Sequence, residues 1–254
     1  MSKNLLDFTG QVVLITGGRS GIGKAAALMF AEQGAKVIIA GRSHAKETLD
    51  EIEKIGGEGM FIKCDVSVTE DVKNLMDTIV AKYGRLDVAF NNSGLLPVTT
   101  DLVNQTEEDF QQIMDVDVKG VFLCMKYQIP IMRKQESGGA IINCGSMVSF
   151  VADPGMAPYV AAKHAVAGLT RAAGIEYIKE NVRINLIAPG LTATEMTAGW
   201  LADPEFCEMV KGFNFVNRWA EPEEIAGVVL FLASPMASFM AGSIVTLDAG
   251  QTAH

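Results

Sequence analysis

The chain has 254 residues, 49% of them hydrophobic and 20% charged, with a formal net charge of −9 and a pI near 4.9. This composition describes a globular protein rather than a disordered one, and the acidity excludes a nucleic-acid partner, which demands a basic footprint. The opening MSKNLLDFTG lacks the long apolar core of a secretory leader, and no uncharged apolar run reaches the roughly 18 residues of a membrane span, Ile225–Ala233 being among the longest. A cytoplasmic location without a membrane partner is expected. Cys64, Cys124, Cys144 and Cys207 show no CxxC spacing, and His44, His164 and His254 stand alone. The cysteines read as small buried hydrophobes, and no metal site is expected.

In chain order, short β-branched runs alternate with longer amphipathic stretches. Strands are predicted at 11–16, 36–40, 59–64, 86–90, 140–144, 183–188 and 243–247. Helices are predicted at 21–33, 44–56, 69–83, 107–134, 157–180 and 222–233. Runs such as VVLIT and VIIA are apolar throughout, as in strands covered on both faces of a parallel sheet. Ser67-Val68-Thr69-Glu70 supplies capping residues for one helix, and Pro222-Glu223-Glu224 has the proline and acids of a first turn. The alternation predicts one α/β domain over residues 1–254, with a doubly wound, mostly parallel seven-stranded sheet and helices on both faces. Residues 191–217 break the rhythm and are read as a substrate-covering insertion. Ligands of such sheets lie beyond the carboxyl ends of the strands.

Directly after the first strand comes Thr16-Gly17-Gly18-Arg19-Ser20-Gly21-Ile22-Gly23, and an apolar helix follows. Glycines there let the backbone approach a pyrophosphate, and the helix start offers free N–H groups and a positive dipole end. A glycine cluster also serves as a plain turn, but the strand before and helix after favour a dinucleotide site. TGGRSGIG resembles the TGxxxGxG loop of the short-chain dehydrogenases/reductases. The resemblance continues through Asn91-Asn92-Ser93-Gly94, Ser146, Tyr159-x-x-x-Lys163, Pro189-Gly190-Leu191-Thr192-Ala193-Thr194 and Asp248-Ala249-Gly250, in family order and over nearly the whole chain. It implies a Rossmann-type dinucleotide fold and hydride transfer between a nicotinamide cofactor and a carbonyl/alcohol pair. The cofactor residues it implies are Gly17, Arg19, Ser20, Gly21, Ile22, Gly23, Asp65, Val66, Asn92, Gly94, Tyr159, Lys163, Pro189, Gly190, Thr192 and Thr194. Of these, Asp65 corresponds to the residue that contacts adenine, while Thr192 and Thr194 would fix the carboxamide.

The second strand ends at Ala40-Gly41-Arg42. A carboxylate at that point would bind a ribose 2′-hydroxyl and repel a 2′-phosphate; Gly41 followed by Arg42 suits the phosphate instead. NADP(H) is therefore favoured, with Arg19 within reach of the same region. NAD(H) stays open, because both arginines could equally be solvated surface charges.

Tyr159 and Lys163, four residues apart, share one helix face. The resemblance makes Tyr159 the acid/base, Ser146 the holder of the substrate oxygen, and Lys163 the ribose ligand that lowers the phenol pKa. A free phenol ionises near pH ~10, so ionising it at neutrality needs roughly 4 kcal/mol. A cation about 4–5 Å away at an effective dielectric of about 20 supplies around 3–4 kcal/mol. Asp117 departs from the family, which places an asparagine there as a fourth catalytic residue. If that position acts through its backbone carbonyl, the favoured reading, aspartate preserves the role. If the side chain matters, a carboxylate near Lys163 changes the pH dependence.

Met147, Val148, Phe150, Val151, Leu95, Leu96, Met156 and Met196 are candidates for an apolar substrate wall, with Trp200, Phe206, Phe213 and Phe215 in the covering segment. Such a wall suits an apolar or aryl ketone, though packing of the covering segment or a subunit contact explains many of these residues equally well. The resemblance also implies a homotetramer, with the helix 225–233 and the terminal strand as contact surfaces. A nucleotide-sensing protein on the same fold without catalysis is the alternative function; intact Ser146, Tyr159 and Lys163 argue against it. An extended sugar-nucleotide epimerase is disfavoured by chain length and glycine spacing.

Overall fold

A computed structural model describes residues 5–96 and 98–253; His254 lies outside the described residues. The chain opens with β1 (Val12–Thr16), α1 (Gly21–Glu32), β2 (Lys36–Gly41), α2 (Lys46–Lys54), β3 (Glu58–Lys63), α3 (Thr69–Tyr83) and β4 (Val88–Asn91). It continues through α4 (Glu107–Ile113), α5 (Gly120–Met132), β5 (Gly139–Cys144), α6 (Ala157–Tyr177) and β6 (Val182–Pro189). It ends with α7 (Ala198–Leu201), α8 (Pro204–Lys211), α9 (Pro222–Ala233) and β7 (Ile244–Leu247). The seven strands form one sheet in the order β3-β2-β1-β4-β5-β6-β7, and every pairing is parallel.

Alternation along each strand divides the core between the two faces. In β1, Val13 and Ile15 join Phe30, Val229 and Leu230 on the side of α1 and α9. Val12 and Leu14 join Leu75, Ile79, Val121 and Val166 on the side of α3, α5 and α6. All five β1 residues are buried, which explains their unbroken apolar run. After β3 the chain returns past β1 to start β4. Strand order thus reverses between β1 and β4, and a crevice opens beyond their carboxyl ends.

Two local expectations are corrected. The stretch 107–134 is not one α-helix, because a π-helical turn, Met114–Lys119, separates α4 from α5. The turn carries Asp117, which is buried, and the change in winding is not marked by any glycine or proline within it. Ser67 does not cap α3 either: that helix has Val68 at its N-cap with no side-chain bond, and the Ser67 hydroxyl donates instead to Asp65 Oδ1 at 2.7 Å. At α9, by contrast, Pro222 stands in the first turn, and Glu221 and Glu224 cap each other's backbone reciprocally.

Buried polar groups tie the elements below the site. Asn91 donates to Gln128 Oε1 at 3.1 Å and to Asn143 Oδ1 at 2.9 Å; Asn143 in turn donates to Thr170 Oγ1 at 2.9 Å. Arg183 on β6 reaches the end of α9 and donates to the carbonyls of Leu232, Ala233, Ser234 and Ala237 at 2.6–3.2 Å. These acceptors include the carbonyls that the last helical turn leaves open.

Candidate active site

The loop after β1 is shaped by its glycines. Gly17 and Gly21 adopt φ of +72° and +53°, a region that favours glycine. A Cβ at Gly21 would stand 2.9 Å from Thr194 Cγ2, and one at Gly23 would stand 2.4 Å from the Gly17 carbonyl oxygen. Thr16 Oγ1 accepts the N–H groups of Asn92 and Ser93 at 3.0 Å each, while Asn92 Nδ2 donates to the carbonyls of Thr16 and Gly17 at 3.1 and 3.2 Å. The β1 and β4 loops are thereby held as one rigid rim. Ser20, the N-cap of α1, makes no side-chain cap bond, which leaves the first amides of that helix for an anion.

That rim borders a cavity of about 470 Å³. Gly17, Arg19, Ser20, Gly21, Ile22, Arg42, Asp65, Val66, Asn92 and Gly94 line one part. Ser146, Tyr159, Lys163, Pro189, Gly190, Thr192 and Thr194 line the rest. The exceptions among the sequence-predicted residues are Gly23, buried under the loop, and Asp117, buried behind Lys163. The space suits a dinucleotide: it joins a glycine-lined helix N-terminus to a Ser/Tyr/Lys cluster, and a Cβ at Gly18 would meet Ile39 at 3.0 Å.

Charges around the end of the cavity lined by Arg19, Arg42 and Asp65 are mixed. Arg42 is exposed at the rim. Arg19 is exposed too, and its Nη2 pairs with Glu195 Oε2 at 2.8 Å. Burial pushes the Asp65 carboxyl up, but the two hydrogen bonds from Ser67, with Arg42 and Lys119 nearby, bring it below the ordinary carboxylate value.

Ser146 starts a short 3₁₀ turn after β5, where its Oγ accepts the Val148 N–H at 3.4 Å. Tyr159 and Lys163 lie at the start of α6 on one face, and Ser146 lines the same cavity wall as the phenol. Lys163 Nζ donates to the Cys144 carbonyl at 3.2 Å and stands 5.2 Å from the Tyr159 ring centroid. It also lies 3.0 Å from Asp117 Oδ2. Asp117 Oδ1 accepts the Leu95 N–H at 2.8 Å; among the described residues Oδ2 has no aligned hydrogen-bond donor, only this ion-pair contact.

Several groups act on the Tyr159 phenol besides Lys163. Burial pushes the phenol up; Lys163 and the nearby Ser146 hydroxyl pull it down, but Asp117 and Cys144 push it up again, and the net direction is upward. Burial likewise opposes the charge on Lys163, yet Asp117, Tyr159 and Cys144 together raise its pKa well above the usual lysine value. A lone cation would have eased ionisation of the phenol, but this one has a buried counter-charge. Of the two roles open to Asp117, the side chain is what touches Lys163.

The apolar wall is smaller than expected. Leu95, Leu96, Met147, Val148, Met156, Met196 and Trp200 line the cavity. Phe150 and Val151 point elsewhere and are exposed, and Phe213 and Phe215 border a separate depression near Gln251. Phe206 reaches the cavity only through Trp200, with ring centroids 5.5 Å apart. Sequence reasoning missed Asp153 and Thr197, both in the lining. Thr197 Oγ1 donates to the Thr192 carbonyl at 2.6 Å and fixes the segment that carries Thr194. The TxxT spacing 194–197 was the available signal. Among the described residues, no three His, Cys, Asp or Glu side chains cluster as metal ligands, and no helix is long and apolar enough to cross a membrane.

Fold, glycine rim and cavity together define a dinucleotide-type oxidoreductase scaffold. Residues 17–252 match a family profile described as enoyl-(acyl carrier protein) reductase. The chain is 41% identical to an uncharacterized oxidoreductase of Thermotoga maritima, covering 98% of this chain and 100% of that protein. It is 38% identical to an A-factor type gamma-butyrolactone 1′-reductase of Streptomyces virginiae, covering 96% of each. A solved structure from Agrobacterium tumefaciens, described as a 2-deoxy-d-gluconate 3-dehydrogenase with bound NADP, superposes with a TM-score of 0.92 at 31% identity, over 99% of this chain and 100% of that one. The chain belongs to the short-chain dehydrogenase/reductase family.

Proposed function

We propose that the chain is a carbonyl reductase/alcohol dehydrogenase that works with NADP(H) and uses Tyr159 as its acid/base. The observation that carries this reading is the meeting of Ser146, Tyr159 and Lys163 in the wall of the cavity that the glycine loop closes. NADP(H), when bound, supplies or accepts the hydride. The chain's own groups handle the rest. Ser146 orients the substrate oxygen, and in reduction Tyr159 gives its phenolic proton to that oxygen and later regains one from solvent. Lys163 holds the ribose side and the charge near the phenol. The N-terminus of α1 would receive the pyrophosphate and Arg42 would hold a 2′-phosphate, with Arg19 in the same lining but shared with Glu195. Met196 and Trp200 cover an apolar or aryl substrate from the segment 191–217.

We further place the protein in the cytoplasm as a homotetramer. Half-exposed Val228 and Phe231 on α9, with exposed Met236 and Phe239 beyond it, support a subunit contact there.

The test is a panel of aliphatic, aryl and alicyclic ketones offered with NADPH and with NADH, followed by the absorbance of the reduced nicotinamide. NADPH is expected to be preferred, and Arg42→Ala is expected to erase the preference. A parent that prefers NADH overturns the cofactor reading. Tyr159→Phe is expected to lower turnover by at least ~100-fold with cofactor affinity retained; near-parental turnover means another group moves the proton. Absence of turnover across the panel, with the cofactor bound, favours a nucleotide sensor.

A further inference from the structure

Asp117 and Lys163 form a buried ion pair at the cavity wall: Oδ2 and Nζ are 3.0 Å apart, with side chains 0% and 6% exposed. The carboxylate is fixed from two sides, since Oδ1 accepts the Leu95 N–H and the π turn 114–119 carries Asp117 into the space behind Gly94. A Cβ at Gly94 would stand 3.1 Å from Oδ2 and 3.6 Å from Nζ, so the pair lies directly against the cavity wall. Removing one member of such a pair strands the other charge, so both stay ionised together.

We propose that Asp117 is a positioning residue that cancels the charge of Lys163, so that Tyr159 keeps its proton until alkaline pH. The proposal rests on the proton role assigned to Tyr159 above. The groups acting on the phenol are Lys163 from its own helix, Asp117 from the π turn, the Cys144 thiol at the end of β5, and the Ser146 hydroxyl. Burial keeps the Cys144 thiol protonated, which leaves Asp117 as the one anion beside the lysine among these groups. Carbonyl reduction needs the protonated phenol and so holds its rate across the neutral range. Alcohol oxidation needs the phenolate and so climbs to its plateau only at alkaline pH. An uncharged side chain at this position moves both break points toward acid, because the anion opposing the phenolate is gone.

Asp117→Asn keeps the side-chain shape and an oxygen for the Leu95 N–H. Ultraviolet titration of tyrosinate in the cofactor-free chain reads the phenol directly, and Tyr159→Phe identifies which of the four tyrosines is responsible. In Asp117→Asn that component is expected at lower pH than in the parent. Alcohol oxidation near pH ~7, as a fraction of each enzyme's alkaline plateau, is expected to rise roughly 10-fold. A component at the same or higher pH, with superimposable rate profiles, overturns the proposal. If Asp117→Asn does not fold, Asp117→Ser carries the same titration. Parental turnover in Tyr159→Phe would remove the proton role itself, while the cofactor-free titration would still report whether the pair controls this phenol.

Discussion

At the scale of single residues, the site depends on atoms that are missing as much as on those present. Gly23 lies outside the cavity, yet a Cβ there would press within 2.4 Å of the Gly17 carbonyl and 2.7 Å of Asn92 Nδ2. Both contacts belong to the rim that joins the β1 and β4 loops. Relieving such overlap costs about 1–3 kcal/mol. Gly23→Ala is therefore expected to weaken cofactor affinity by about 10-fold, as read by fluorescence titration with NADPH. Unchanged affinity would show that the rim can shift without disturbing the helix amides. Lys163 illustrates the opposite case, in which a residue's chemistry is set by a neighbour outside the cavity lining. Its charge is matched by Asp117, and burial first, then Asp117, makes the phenol beside it harder to ionise.

At the scale of elements, the least conventional joint is Arg183. Its guanidinium is the tie between β6 and the carboxyl end of α9, spread over four carbonyls. Burial pulls its pKa below the usual arginine value, with no carboxylate offsetting this. Charged hydrogen bonds of this sort contribute about 1.5–3 kcal/mol each, and their loss leaves acceptors open. Arg183→Ala is expected to lower unfolding stability by about 2–4 kcal/mol, measured by urea denaturation. A loss under about 0.5 kcal/mol would mean that water satisfies those carbonyls. The π turn between α4 and α5 acts differently: it costs little visible pattern but delivers Asp117 to Lys163.

At the scale of the molecule, two buried thiols on one face of the core, Cys64 and Cys124, make stability depend on alkaline pH. Burial, with Asp65 and Asp71 nearby, pushes the Cys64 thiol from 9.0 up to about 12. The folded state therefore keeps a proton that the unfolded chain gives up. This raised value contributes stability fully below pH 9.0, and that contribution is lost as pH rises through the window to about 12. Within that window each such thiol steepens the decline by about 1.4 kcal/mol per pH unit. Cys124 is raised in the same direction by its burial. Urea denaturation across this range is expected to show a shallower decline in Cys64→Ala than in the parent. Parallel declines would mean that other groups govern alkaline unfolding.

The sequence by itself determined the strand–helix alternation, the parallel sheet, the glycine loop and the pairing of Tyr159 with Lys163, whereas the place of Ser146 beside them was implied by the family resemblance. Each of these is local: a buried strand must be apolar on both faces, a tight loop needs glycine, and residues four apart share a helix face. Only the tertiary structure decided which distant groups meet. The π turn bringing Asp117 to Lys163, the diversion of Arg19 to Glu195, and the withdrawal of Phe213 and Phe215 from the cavity all join or separate residues far apart along the chain. Coulomb energies and packing depend on distances through space, and residue order alone does not supply those.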